Sequence, residues 1–221
     1  MPFVSENTSQ DFIIEDGVLM KYQGEAADVV IPDNVTAIDE LAFEDCDFVT
    51  SIIIGNNVKT IDEGAFYECT GLKSIKLPDS ITVLEANIFS DCTNLESVVI
   101  PDTVTKIDVS AFAGCTSLKS VIIPNSITSI DNCAFLGCTN LTSITIPDSV
   151  TRLGEWVFRG CDNLTTVNIS NILLAQYENA FPDSVLRNIR KNKGLCRHCG
   201  GKLKKDFIFS RCLICRKRRD Y

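Results

Sequence analysis

The sequence predicts a solenoid, mainly β, of stacked parallel strands with short helical turns. A β-hairpin cap opens it, and a short helix and a small four-cysteine ribbon close it. Three observations carry this reading. Cys46, Cys69, Cys92, Cys115, Cys138 and Cys161 recur every 23 residues. Phe43, Phe66, Phe89, Phe112, Phe135, Phe158 and Phe181 keep the same step. So do Ile31, Ile54, Leu77, Ile100, Ile123, Ile146 and Ile169, usually followed by Pro (Pro32, Pro78, Pro101, Pro124, Pro147). Independent columns in one register mark a repeat architecture, and this period suits a short strand-based unit.

Leu141–Leu153 shows how one unit works. Leu141, Ile144 and Ile146 are the apolar positions of an extended segment, the last two on one side of it. Pro147 has no N–H to continue a ladder and starts a turn that Asp148 supports. Val150 and Leu153 then turn inward again. In most units an acid follows (Asp39, Asp62, Glu85, Asp108, Asp131), placed to cap one short helical turn that carries the Phe inward. No unit can bury its apolar side alone, so stacking makes the core.

The units resemble the BspA-type leucine-rich repeat, whose pattern is roughly Leu-x-x-Ile-x-Ile-Pro-x-x-Val-x-x-Ile-x-x-x-Ala-Phe-x-x-Cys, over residues 29–181. Phe12–Leu19 also resembles that family's opening segment. Physically it is a hairpin about an Asp16-Gly17 turn, which would cover the open edge of the first rung. Past Ile169 the pattern decays. Asp183-Ser184 opens a short helix through Lys191, with Leu186 and Ile189 on one side and Gly194 beyond its end. The expected units are an amino-terminal segment with the hairpin (1–28), a leucine-rich-repeat solenoid (29–181), an exit helix and linker (182–194) and a ribbon (195–221). The resemblance implies protein recognition, often at microbial surfaces.

The chain's 221 residues, 45% of them apolar, suffice for one or two buried cores. No apolar run exceeds four residues, as in Ile172–Ala175. A span of the bilayer takes about 18, so no membrane segment is expected. Met1–Phe12 holds no Lys or Arg and no apolar core, which predicts a cytoplasmic chain; the resemblance implies the cell surface as the alternative. A single His, no phosphate-cradling Gly-rich loop and no Gly-x-Ser-x-Gly elbow argue against an enzyme, and no catalytic residue is assigned.

The eleven cysteines divide into two roles. In a parallel stack adjacent rungs lie about 4.8 Å apart with side chains projecting in parallel, whereas a disulfide needs Cβ atoms at about 3.5–4.5 Å. The column is therefore expected as buried free thiols. Cys133 stands off it, in a turn position shared with Gly64, Asn87, Ser110 and Trp156. It is either an exposed, reactive thiol or one packed beside Trp156. Cys196-x2-Cys199 and Cys212-x2-Cys215, twelve residues apart, form two knuckles suited to one tetrahedral, structural Zn²⁺, with iron as the other candidate. Gly200-Gly201 permits a tight turn, and Phe207–Phe209 reads as a strand between the knuckles. The stretch resembles a zinc ribbon. Four thiolates leave no open position for catalysis, and His198 within the first knuckle is assigned to the surface.

Binding is expected on the outward face of the stacked strands. Val30, Ile53, Lys76, Val99, Ile122, Thr145 and Asn168 stand between inward apolar positions, with Thr50, Lys73, Glu96, Lys119, Thr142 and Thr165 as a second outward column. Two readings of the apolar members stand: a partner site, or β-branched residues that merely suit strands. The net charge of −8 hides an asymmetry. Residues 183–221 hold thirteen bases and three acids, whereas the preceding 182 residues hold eight and twenty-six. Lys202, Lys204, Lys205, Arg211 and Arg216–Arg219 therefore keep nucleic acid open as an alternative partner to protein. The simpler possibility is a solvated tail, or one resting on its own acidic body.

Overall fold

A computed structural model describes residues 9–195, 203–205 and 210–212. After a 3-10 turn at Ser9–Asp11, strands β1 (Phe12–Glu15) and β2 (Val18–Tyr22) form an antiparallel hairpin. Asp16 and Gly17 both take positive φ, 48° and 81°, as a two-residue hairpin turn between right-twisted strands demands. The chain then coils through β3 (Asp28–Val30), β4 (Ala37–Ile38), β5 (Ser51–Ile53), β6 (Thr60–Ile61), β7 (Ser74–Lys76), β8 (Val83–Leu84), β9 (Ser97–Val99), β10 (Lys106–Ile107), β11 (Ser129–Ile130), β12 (Ser143–Thr145), β13 (Arg152–Leu153) and β14 (Thr166–Asn168). Strands of equivalent position pair in parallel one repeat apart, as Ile52 with Ile75 and Ile107 with Ile130. One ladder runs β3-β5-β7-β9 and resumes as β12-β14. The other runs β2-β4-β6 and resumes as β8-β10-β11-β13.

The repeated apolar columns face a common interior. Every column Phe from Phe43 to Phe158 is fully buried, and Phe181 nearly so. Their rings form one file from Phe12 through Tyr22 to Phe181, with centroids 5.1–5.6 Å apart. That spacing lies in the range where aromatic pairs attract. The hairpin thus continues the stack of the repeats as well as their ladder, where Leu19 pairs with Ile38.

The cysteine column is buried and unbridged. From Cys69 to Cys161, five thiols each donate to the carbonyl of the Phe in the preceding rung, at 3.0–3.1 Å. Each sulfur thereby fills the floor of its rung and ties two rungs together. Burial pushes the Cys46 thiol up to about 11 and Cys92 up to about 12, so these two thiols stay protonated.

The expected helical turns are absent between the strands of the described repeats. These segments are chains of turns whose amides bond alternately within the rung (Cys69 N–H to Phe66 O) and to the next one (Phe66 N–H to Ile88 O, 3.1 Å). Two left-handed residues per turn aim the amides this way. Leu41, Gly64, Asn87, Ser110, Cys133 and Trp156 form one positive-φ column; Asp45, Glu68, Asp91, Gly114, Gly137 and Gly160 form the other. A helical turn would spend its amides internally; here they bind the stack. Two of the five acids are seen to cap their turns: Asp108 and Asp131 each accept the next residue's N–H, at 2.7 and 2.8 Å.

Beyond β14 the chain forms helix α1 (Asn171–Gln176), a 3-10 turn at Glu178–Ala180 and helix α2 (Asp183–Asn192). Ser170 Oγ accepts the Leu173 N–H and caps α1. Helix α2 buries Val185, Leu186 and Ile189 against the last rung, and Lys193 Nζ donates to Ile169 O at 2.6 Å. Gly194 follows at φ 67°, beyond the helix end. Farther on, β15 (Leu203–Lys205) and β16 (Ser210–Cys212) pair antiparallel, Leu203 opposite Cys212. The strand expected at Phe207–Phe209 lies outside the described residues.

Candidate protein-interaction surface

Parallel pairing at a 23-residue step places equivalent residues side by side, so any outward column becomes a continuous stripe. Val30 is opposite Ile53, Ile53 opposite Lys76, and Lys76 opposite Val99; Thr145 is opposite Asn168 farther along. Ile122 falls between them. All seven are exposed, while their neighbours on either side in the chain, such as Ile52 and Ile54, are buried, except that Val167 beside Asn168 is only half-buried. The apolar members are strongly so: Ile122 is 83% exposed, Val99 67%, Ile53 60% and Val30 53%. They stand on the outer side of the sheet.

The stripe is not uniform. Residues 118–124, in the rung that carries Ile122, form no strand, so the ladder breaks between β9 and β12. At that break a shallow groove of about 350 Å³ opens, lined by Val98, Val99, Ile100, Asp102, Ile122, Ile123, Pro124 and Asn125. Sequence periodicity treats this rung like its neighbours: it places Pro124 in the Pro column and marks none of Asp102, Pro124 or Asn125 as a binding residue. Both Pro124, which lines the groove, and the equivalent Pro101 are buried.

Charge on the face is only partly matched internally. Lys119 Nζ bonds Glu96 at 2.7 Å, which holds the Glu96 carboxyl below its ordinary range. Asp28 accepts hydroxyls from Ser51 and Thr50. Between the two apolar pairs stands Lys76, which makes no ion pair among the described residues. Apolar side chains around a single cation can bury a partner's surface and fix its register. This is chemistry of association.

Of the expected metal ligands, Cys196, Cys199 and Cys215 lie outside the described residues, and for Cys212 only its backbone place in β16 is described. Most of the basic tail residues also lie outside them. Among the described residues no group of His, Cys, Asp or Glu is arranged to hold a metal ion. No described helix is long and apolar enough to cross a membrane.

Comparison with known proteins places this geometry. The profile described as "BspA type Leucine rich repeat region (6 copies)" matches residues 14–141 and 84–197. Among solved structures, a leucine rich cell surface protein of Faecalibacterium prausnitzii A2-165 shares 30% identity at a TM-score of 0.53, over 73% of this chain and 53% of that one. A leucine-rich repeat protein of Eubacterium ventriosum (20% identity, TM-score 0.59) matches over 73% and 51%. A leucine rich repeat protein of T. pallidum (24%, 0.54) matches over 84% and 95%. The chain spans about half the length of the first two. No curated protein matches.

Proposed function

The chain belongs to the BspA-type leucine-rich-repeat family, and from that premise we propose that it is a non-enzymatic scaffold that captures a protein partner on its outward sheet face. The observation that carries the reading is the exposed column Val30, Ile53, Val99 and Ile122 on a rigid stack, with a groove at its Val99–Ile122 end. Monomers seldom leave such apolar columns bare without use. A solenoid face offers an extended surface that needs no moving part to bind.

The two ends serve this surface. The β1–β2 hairpin shields the first rung of one ladder, and α1 with α2 seals the last, so that open strands do not pair with other chains. The four-cysteine segment is a structural zinc module, supported by the ligand spacing and by the antiparallel pairing of β15 with β16, which ends on Cys212. The likeness to a protein described as a cell surface protein supports a surface location.

Ile122→Glu tests the scaffold reading. At 83% exposure the side chain contributes little to the fold, so a change of at most about 0.5 kcal/mol in stability is expected. Affinity capture from the native cell should lose its partner while the melting temperature holds. Undiminished capture by the variant would refute the surface; a large loss of stability would show Ile122 to be core.

A further inference from the structure

The identity of the side chains on the sheet face specifies the partner's chemistry, an inference that rests on the scaffold reading. The acidic body, residues 1–182, holds eight bases against twenty-six acids, yet three of those bases, Lys73, Lys76 and Lys119, stand on this one face. One is occupied locally: Lys119 is paired with Glu96 at 2.7 Å. Lys73 and Lys76 make no ion pair among the described residues, and of the two Lys76 is the exposed ammonium that stands within the apolar column. Its cross-strand neighbours are Ile53 and Val99, both mostly exposed. Rungs spaced about 4.8 Å apart put an aliphatic surface on each side of the cation and the groove about 10 Å from it.

We propose that this face binds an extended protein segment in which a carboxylate is flanked by aliphatic side chains. The carboxylate pairs with Lys76, one aliphatic group lies on Val30 and Ile53, and another enters the groove between Val99 and Ile122. Charge complementarity selects the acid: a partner cation at this place would meet Lys76 directly, and like charges brought together exclude wrong partners. The apolar contacts supply the buried area, and the single ion pair at the rim sets register and discrimination.

The test is selection of a random twelve-residue peptide display library against the full-length chain and against its Lys76→Glu variant. Both proteins are first matched by thermal melt, since an exposed side chain can be exchanged without loss of fold. The wild-type pool should be enriched at least ten-fold in peptides bearing Asp or Glu between Val, Ile or Leu. Lys76→Glu should exchange those acids for Lys or Arg, and Ile122→Glu should lose the pool. A wild-type pool without acidic enrichment, a pool unmoved by Lys76→Glu, or no pool at all overturns the proposal. If Ile122→Glu removes capture of the native partner while the charge reversal changes nothing, the surface stands and the carboxylate chemistry falls.

Discussion

Glycine and non-glycine residues occupy equivalent left-handed positions in this solenoid, so exchanging them in opposite directions should move stability with opposite sign. Gly137 has φ 72°, and a Cβ built there would meet nothing nearer than Gly114 N at 3.8 Å. Space is therefore not the obstacle, and Gly137→Ala is charged only for conformation. An L-residue in this region costs about 1–2 kcal/mol. Alanine recovers about 0.4–1 kcal/mol by restricting the unfolded chain. The net expectation is a loss of about 1 kcal/mol. Ser110 has φ 55° and already bears that strain. Its backbone N–H donates to Asn132 O at 3.0 Å, a bond glycine keeps. Ser110→Gly should therefore gain about 0.5–1 kcal/mol. For a chain of this size each kcal/mol moves the midpoint by roughly 2–4 °C. Urea titration followed by far-ultraviolet dichroism, with equal slopes for all variants, measures both differences. Gly137→Ala without loss, or Ser110→Gly less stable than the parent, would refute the assignment of these turns.

Two further outcomes are expected. Desolvation raises the thiols of Cys46, Cys69, Cys92 and Cys115, and Cys138 is raised by the neighbouring Cys161 thiol and by burial. Unfolded thiols lose their protons from about pH 8.5, while the native ones keep theirs. The stability they lend is thus whole below that pH and drains as pH rises toward 11. Urea titrations at pH 9 and 10.5 should show the decline, and Cys92→Ala should flatten it by about 1.4 kcal/mol per pH unit; an unchanged slope would count against a buried, protonated column. For the zinc module, elemental analysis of the purified chain should find one zinc, lost in Cys196→Ser and Cys212→Ser. Chelation should leave the solenoid's melting transition in place, and a chain free of metal would refute the assignment.

Much of the fold could be read along the chain because a solenoid converts sequence distance into spatial distance at a constant rate. The 23-residue step of Phe and Cys already implies that Phe89 lies against Phe112 and that Val30 lies beside Ile53. The Asp16-Gly17 turn was legible for the local reason that both residues tolerate positive φ. The end of the pattern at Ile169 was also visible, but α1 was not: Asn171–Gln176, capped by Ser170, form a helix too short to show a period. The turns were misread because the acid before the Phe suggests a helix start, whereas the stack draws the amides across to the next rung.

The chain alone therefore determined which side chains are inward, which column is exposed and how far apart equivalent residues stand, since each follows from periodicity and polarity. Tertiary packing decided what periodicity averages away. It set the left-handed pairs that turn each rung, the thiol bond to the carbonyl of the preceding Phe, and the break in the ladder that opens a groove beside Ile122. Hydrogen bonds between rungs depend on angles and small displacements of the neighbouring backbone, and a repeating pattern of residue types does not encode those.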